Sequence, residues 1–138
     1  MDSVSNVTQS SGGKPSDREG SRKTFVSLIA RQPARVPPLV WVQGVLVWCG
    51  ARAITQRVLL DDGTGVIEVL LDTARFRELS GELCVGMYLM VVGSVESFPT
   101  GSPSPRVQLS ARTVRDLSTS VESQAVWILE VIAVSRES

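Results

Sequence analysis

Asp61 and Asp62, side by side ahead of Gly63-Thr64-Gly65, are the first residues whose type and spacing suggest chemistry. Adjacent carboxylates could hold a cation or act as an acid–base pair. Calcium takes about six to eight oxygens, and no second acidic cluster or base accompanies the two. A hairpin turn is the better reading, since glycine supplies a positive φ and aspartate bonds its own backbone. Cys49 and Cys84 lie far apart and match no metal spacing, so both are expected as small buried apolar groups. The chain has no histidine, which removes the usual general base, every Ser-His or Cys-His nucleophile pair and the commonest zinc ligand. No catalytic residue, metal or cofactor is expected.

Arginines offer the remaining chemistry. Arg52 and Arg57 lie near the second strand signal, and Arg106, Arg112 and Arg115 near the fifth. Beside stacking aromatics, Arg52, Arg57 and Arg112 would line a groove for single-stranded nucleic acid. Scattered along strands, they would equally form a solvated sheet face. Trp41, Trp48 and Tyr88 sit in dense apolar runs and are expected in the core. The charge balance favours the solvated face. Residues 1–36 hold six Lys/Arg against three Asp/Glu, whereas 37–138 hold eight Arg, no Lys and eleven Asp/Glu. An acidic folded part is a poor tracker of phosphates.

Three regions must position these residues. Residues 1–36 are expected to be disordered or loosely docked: 1–23 are rich in Ser, Gly and Lys/Arg, and Phe25–Ile29 is a short apolar cluster suited to a docking strand or a turn of helix. Residues 37–118 carry five strand signals: Val40–Trp48, Ile54–Leu60, Val66–Leu71, Gly86–Val95 and Arg106–Leu117. A short helix, Ala74–Leu79, is expected after the third, capped by Asp72 or Thr73. Three strands, a helix and two strands suit an all-β, five-stranded OB-fold barrel, although a run of short strands also suits a sandwich. Ser102-Pro103 and Ser104-Pro105, between the last two strands, offer proline-directed phosphorylation sites. The opening residues hold no leader-like apolar run, and two thiols alone suggest a reducing intracellular setting.

Residues 119–135 form the third region. Val121–Val134 is β-prone, but Ser118-Thr119-Ser120 offers caps and favours a helix. On that helix Val121, Ala125, Ile128 and Ile132 form one stripe with Leu129 at its flank. Trp127, Val131 and Val134 form a second, about 120° away. A surface helix normally has one apolar stripe and a polar back. The barrel is expected to cover the first stripe. The second then needs a partner, with Trp127 as anchor and Glu130 at the rim.

These segments resemble the RecQ-mediated genome instability protein 2 family. The resemblance rests on Trp41-Val42-Gln43-Gly44, on Gly86, Tyr88, Met90, Val91, Gly93 and Val95, on Asp116-Leu117-Ser118, and on Trp127-x-Leu129-Glu130-Val131, in that order over roughly residues 40–134. It implies a single OB-fold with a C-terminal helix and a non-catalytic, nuclear scaffold subunit. It further implies pairing with the C-terminal OB-fold of RecQ-mediated genome instability protein 1, beside a type IA topoisomerase and a Bloom-type RecQ helicase that dissolve double Holliday junctions and suppress crossovers. Asp61–Gly65 and the Arg spacing of the second strand depart from the family pattern. The rival reading is a single-strand-binding subunit similar to a small subunit of replication protein A.

Overall fold

Alternation along the strands divides their side chains between an interior and an outer face. The structure, a computed structural model, describes residues 20–98 and 106–136. Ser102, Ser104 and most of the expected disordered tail lie outside the described residues. The elements are β1 Arg22–Lys23, α1 Val26–Arg31, a 3-10 turn Pro33–Arg35, β2 Val40–Cys49, β3 Thr55–Asp61, β4 Val66–Asp72, α2 Arg77–Ser80, β5 Tyr88–Phe98, β6 Arg106–Asp116 and α3 Val121–Arg136.

Strands β2 to β6 close in the order β2-β3-β4-β6-β5, with β5 returning to pair with β2. The β4–β6 pairing is parallel and the others within the barrel are antiparallel. That topology, with a helix between β4 and β5, is the OB-fold, and it excludes the sandwich. Val40, Val42 and Leu46 of β2, Val58 and Leu60 of β3, Val69 of β4 and Leu109 of β6 meet inside.

Gly44 and Gly93 occupy inward positions where neighbouring backbone comes too close for a side chain. A Cβ on Gly44 would run into the Asp61 carbonyl, and one on Gly93 into that of Ser110. At Gly44 β2 passes from its pairing with β5 to its pairing with β3. Gly93 sits at the irregularity between β5 and β6, where the barrel bends.

Each mouth is plugged. At one end Ser80 of α2 donates its hydroxyl to Gln56, whose amide donates to the Gly50 carbonyl (3.0 Å) and approaches Cys49 Sγ (3.2 Å). Both Gln56 and Ser80 are buried. At the other end α1 inserts Val26 and Ile29 into the interior cluster. Its first backbone N–H, on Val26, donates to Asp62 Oδ2 (2.8 Å), and Ser27 N–H donates to Thr64 Oγ1 (3.1 Å). The expected boundary at 36/37 therefore falls inside the folded unit, which begins near Arg22. Six helical residues cannot hold themselves together in water; the barrel mouth and the Asp62 turn hold them.

Two further expectations are corrected. Cys84 is exposed and Cys49 only half-buried. Trp41, Trp48 and Tyr88 all face out of the barrel. For Trp48 the cause is an irregularity between Leu46 and Trp48, which gives β2 one extra residue at Val47. One added residue sends every later side chain to the opposite face.

Candidate partner-binding helix and its seat

Ser120 opens α3: its hydroxyl accepts the Ser123 backbone N–H (3.4 Å), the expected N-cap bond. Gln124 reaches back to the Leu117 carbonyl (3.2 Å), and Ser118 Oγ accepts the Tyr88 N–H (3.0 Å). These bonds hold the β6–α3 connection against the start of β5 and lay the helix across the outer face of β2 and β5. That face carries Trp41 and Gln43 from β2 and Tyr88, Met90 and Val92 from β5. Met90 and Val92 point away from the interior cluster yet are fully buried. A second apolar layer therefore lies outside the barrel.

The helix completes that layer with its Trp127 face, so the disposition expected from sequence is inverted. Trp127 and Val131 are 2% and 1% exposed, and Val134 is half-buried. The indole of Trp127 stacks on that of Trp41 with ring centres 6.4 Å apart. Ile128 and Leu129 are 55% and 66% exposed, Ile132 and Ala125 are also exposed, and Val121's side chain lies outside the described residues. The reason is shape: the aromatic floor made by Trp41 accepts a flat ring, and only the Trp127 stripe carries one. Glu130, expected at a partner's rim, pairs instead with Lys23 (3.3 Å).

The sequence reading missed β1 as the clamp on this helix. Lys23 Nζ stands 4.8 Å over the Trp41 ring while pairing with Glu130. Arg22 donates from Nη2 to the Val134 carbonyl (2.7 Å), neutralising part of the negative helix C-terminus. The Trp41 indole N–H donates to Gln43 Oε1 (2.9 Å). Among the described residues the buried Trp127 Nε1–H has no acceptor, a cost of about 1–3 kcal/mol that stacking and apolar burial must exceed. Burial pushes the Tyr88 phenol above its usual value, the Gln43 amide opposing and the Asp62 and Glu130 charges adding, so it stays protonated at neutral pH.

The groove arginines do not form a common site. Arg52 donates to the Arg77 carbonyl (3.2 Å) beside α2, and Arg112 is exposed at the irregularity of β6. Arg57 donates from Nε to Glu68, which also binds Arg106 Nη2 (3.0 Å) and the Gln108 amide (2.9 Å). Burial works to raise the Glu68 carboxyl, but the bonds from Gln108, Arg57 and Arg106 outweigh it and hold it below the ordinary value. A depressed carboxyl stabilises the fold above the unfolded value of about 4.3 and loses that contribution as pH falls through the folded value. Glu68→Gln should therefore lower stability at pH 7 and flatten the acid limb below about pH 4.5, read by urea unfolding at a series of pH values.

Asp61 and Asp62 form the β3–β4 turn as expected. Asp61 Oδ1 accepts the Gly63 N–H (2.8 Å), and Asp62 Oδ1 accepts the Thr64 N–H (2.8 Å). Burial pushes the Cys49 thiol up, the neighbouring Cys84 adding and Gln56 opposing, which disfavours the reactive thiolate.

Among solved structures, the fold is similar to a chain of the S. pombe Stn1–Ten1 complex, at 16% identity and TM-score 0.61 over 72% of this chain and 71% of that one. It is also similar to a chain of a replication protein A heterotrimer bound to single-stranded DNA, at 22% identity and TM-score 0.57 over 72% and 73%. The aspartyl-tRNA synthetase of Entamoeba histolytica aligns at 14% identity and TM-score 0.58, over 81% of this chain and 24% of that one. At these identities the likeness concerns the fold. No curated protein matches the chain. Residues 7–135, spanning the clamp, the barrel and the helix with its seat, match the family described as RecQ-mediated genome instability protein 2, and the chain belongs to that family.

Proposed function

We propose that this chain is a non-catalytic scaffold subunit that pairs, through the outward face of α3, with the C-terminal OB-fold of RecQ-mediated genome instability protein 1. In the nucleus the pair would steady a type IA topoisomerase and a Bloom-type RecQ helicase during double Holliday junction dissolution, suppressing crossovers and protecting the genome. Family membership supports a genome-maintenance setting. The observation that carries the reading is the uncovered stripe of Ile128, Leu129 and Ile132 on a helix whose opposite face is already occupied. Burying each such side chain contributes about 1.5–3 kcal/mol, and a contiguous apolar stripe left wet invites association.

Co-expression with that partner domain is the test. A 1:1 complex should co-elute in size exclusion, and separate elution of the two chains would refute the pairing. The isolated chain should bind a labelled oligothymidylate only weakly, with Kd above about 10 µM at physiological salt, in the non-specific range. Submicromolar affinity with a steep salt slope would support the single-strand-binding alternative instead.

A further inference from the structure

The outer face of β2, β3, β4 and β6 carries a second exposed apolar patch, at Val45, Trp48 and Val66, distinct from the α3 stripe. Pairing puts Val45, Asp61 and Val66 in one row and Trp48, Leu59, Glu68 and Gln108 in the next. Trp48 is 45% exposed and Val66 52%. The Trp48 ring lies over Gly50, where a Cβ would come within 2.9 Å of Cη2, and Gly50 N–H donates to the Arg57 carbonyl (2.7 Å). The ring is thereby set next to the Arg57 backbone. Glu68 holds Arg57 through Nε. Among the described residues neither terminal nitrogen of Arg57 has an acceptor, and about half of the side chain is exposed. Nε is fixed while the Nη fork points to solvent, a ready bidentate site for a carboxylate beside an aromatic platform.

We propose that this face docks an acidic, extended peptide segment, one carboxylate taking the Arg57 fork and a neighbouring bulky apolar side chain resting on Trp48. Charge distinguishes this occupant from a nucleic acid. Arg57 and Arg106 both lean on the buried Glu68, and Asp61 sits one row away, so the face offers one open fork rather than a cationic track. A single carboxylate matches that, whereas a polyphosphate backbone needs a track of many such contacts. The exposed valines extend the apolar floor for the peptide's other side chains. The inference stands apart from the α3 pairing, because it uses a different face.

The test is an NMR titration of the full chain with three probes. These are a capped decapeptide with aspartates flanking one phenylalanine and one leucine, the same peptide with lysine for every aspartate, and a twelve-residue oligothymidylate. The acidic peptide should shift the Trp48 indole and Arg57 Nε resonances. Trp48→Ala and Arg57→Gln should each weaken it at least about fivefold, with Ile128→Asp leaving it unchanged. Trp48 is exposed, so its variant should keep the parent's spectrum elsewhere, and the Arg57 variant should shift only the resonances of Glu68, Arg106 and Gln108, which share its cluster. Equal binding of the lysine peptide, tighter binding of the oligothymidylate at this face, insensitivity to both variants, or no shift with any probe would each overturn the proposal.

Discussion

Ile128→Asp combined with Leu129→Asp should leave the isolated chain as stable as the parent while weakening partner capture at least about a hundredfold. Both side chains face solvent in the free chain, and exposed substitutions of this kind usually stay within about 0.5 kcal/mol. Aspartate is a modest helix former, which adds a few tenths of a kcal/mol per site. In the complex the same carboxylates would be taken out of water without a partner, a penalty of several kcal/mol. A hundredfold change in Kd corresponds to about 2.7 kcal/mol, well inside that penalty. Thermal unfolding of the free chain and isothermal titration with the partner's OB-fold read the two halves separately. The variant should also self-associate less than the parent, since the apolar stripe is broken by charge. Undiminished binding would place the interface on another surface.

The strands and α3 were legible because their signals are local; α2, expected at Ala74–Leu79 with Asp72 or Thr73 as cap, forms instead at Arg77–Ser80 with Phe76 at its N-cap and no side-chain cap. Val40–Trp48 is largely β-branched and aromatic, the Asp61–Gly65 turn uses residues suited to φ > 0, and Ser120 stands where a cap was expected. What failed depended on residues far away in the chain. Both stripes of α3 are apolar, so the helix alone cannot say which one docks. Trp41, eighty-odd residues earlier, decides it by offering a ring to stack on. Trp48 was misplaced because a single extra residue at Val47 resets the alternation, and no residue type marks that position. The Arg57–Glu68–Arg106 cluster joins three strands through register that the sequence does not display. Phe25–Ile29 was recognised as a docking cluster, but its depth was not, since only the open barrel mouth makes Val26 and Ile29 interior residues. The family motif around Trp41-Val42-Gln43-Gly44 and Tyr88-x-Met90 gains a physical meaning here: Trp41, Gln43, Tyr88 and Met90 build the seat on which α3 rests, while Val42 and Gly44 face the barrel interior.

Trp127→Ala should release α3 from that seat while the barrel persists. Removing a buried tryptophan side chain costs about 3–5 kcal/mol, here lessened by the loss of an indole N–H that has no acceptor among the described residues. Trp127 belongs to the outer layer with Met90 and Val92 rather than to the interior cluster, so the loss falls on docking. Amides of α3 should exchange rapidly and those of β2 to β6 should stay protected, with Trp41 emission shifting to the red as its stacking neighbour leaves. Partner binding should fall too, because a detached helix must be ordered again before it can present Ile128 and Leu129. Trp127→Phe is the discriminating control: it keeps a flat ring against Trp41 and removes the unpaired donor, and should retain a protected helix. If α3 stays protected in Trp127→Ala, the clamp of Arg22 on Val134 and Lys23 on Glu130 carries the docking instead. If every amide loses protection together, helix and barrel form one cooperative unit, and the outer layer is as much a part of the core as the barrel interior.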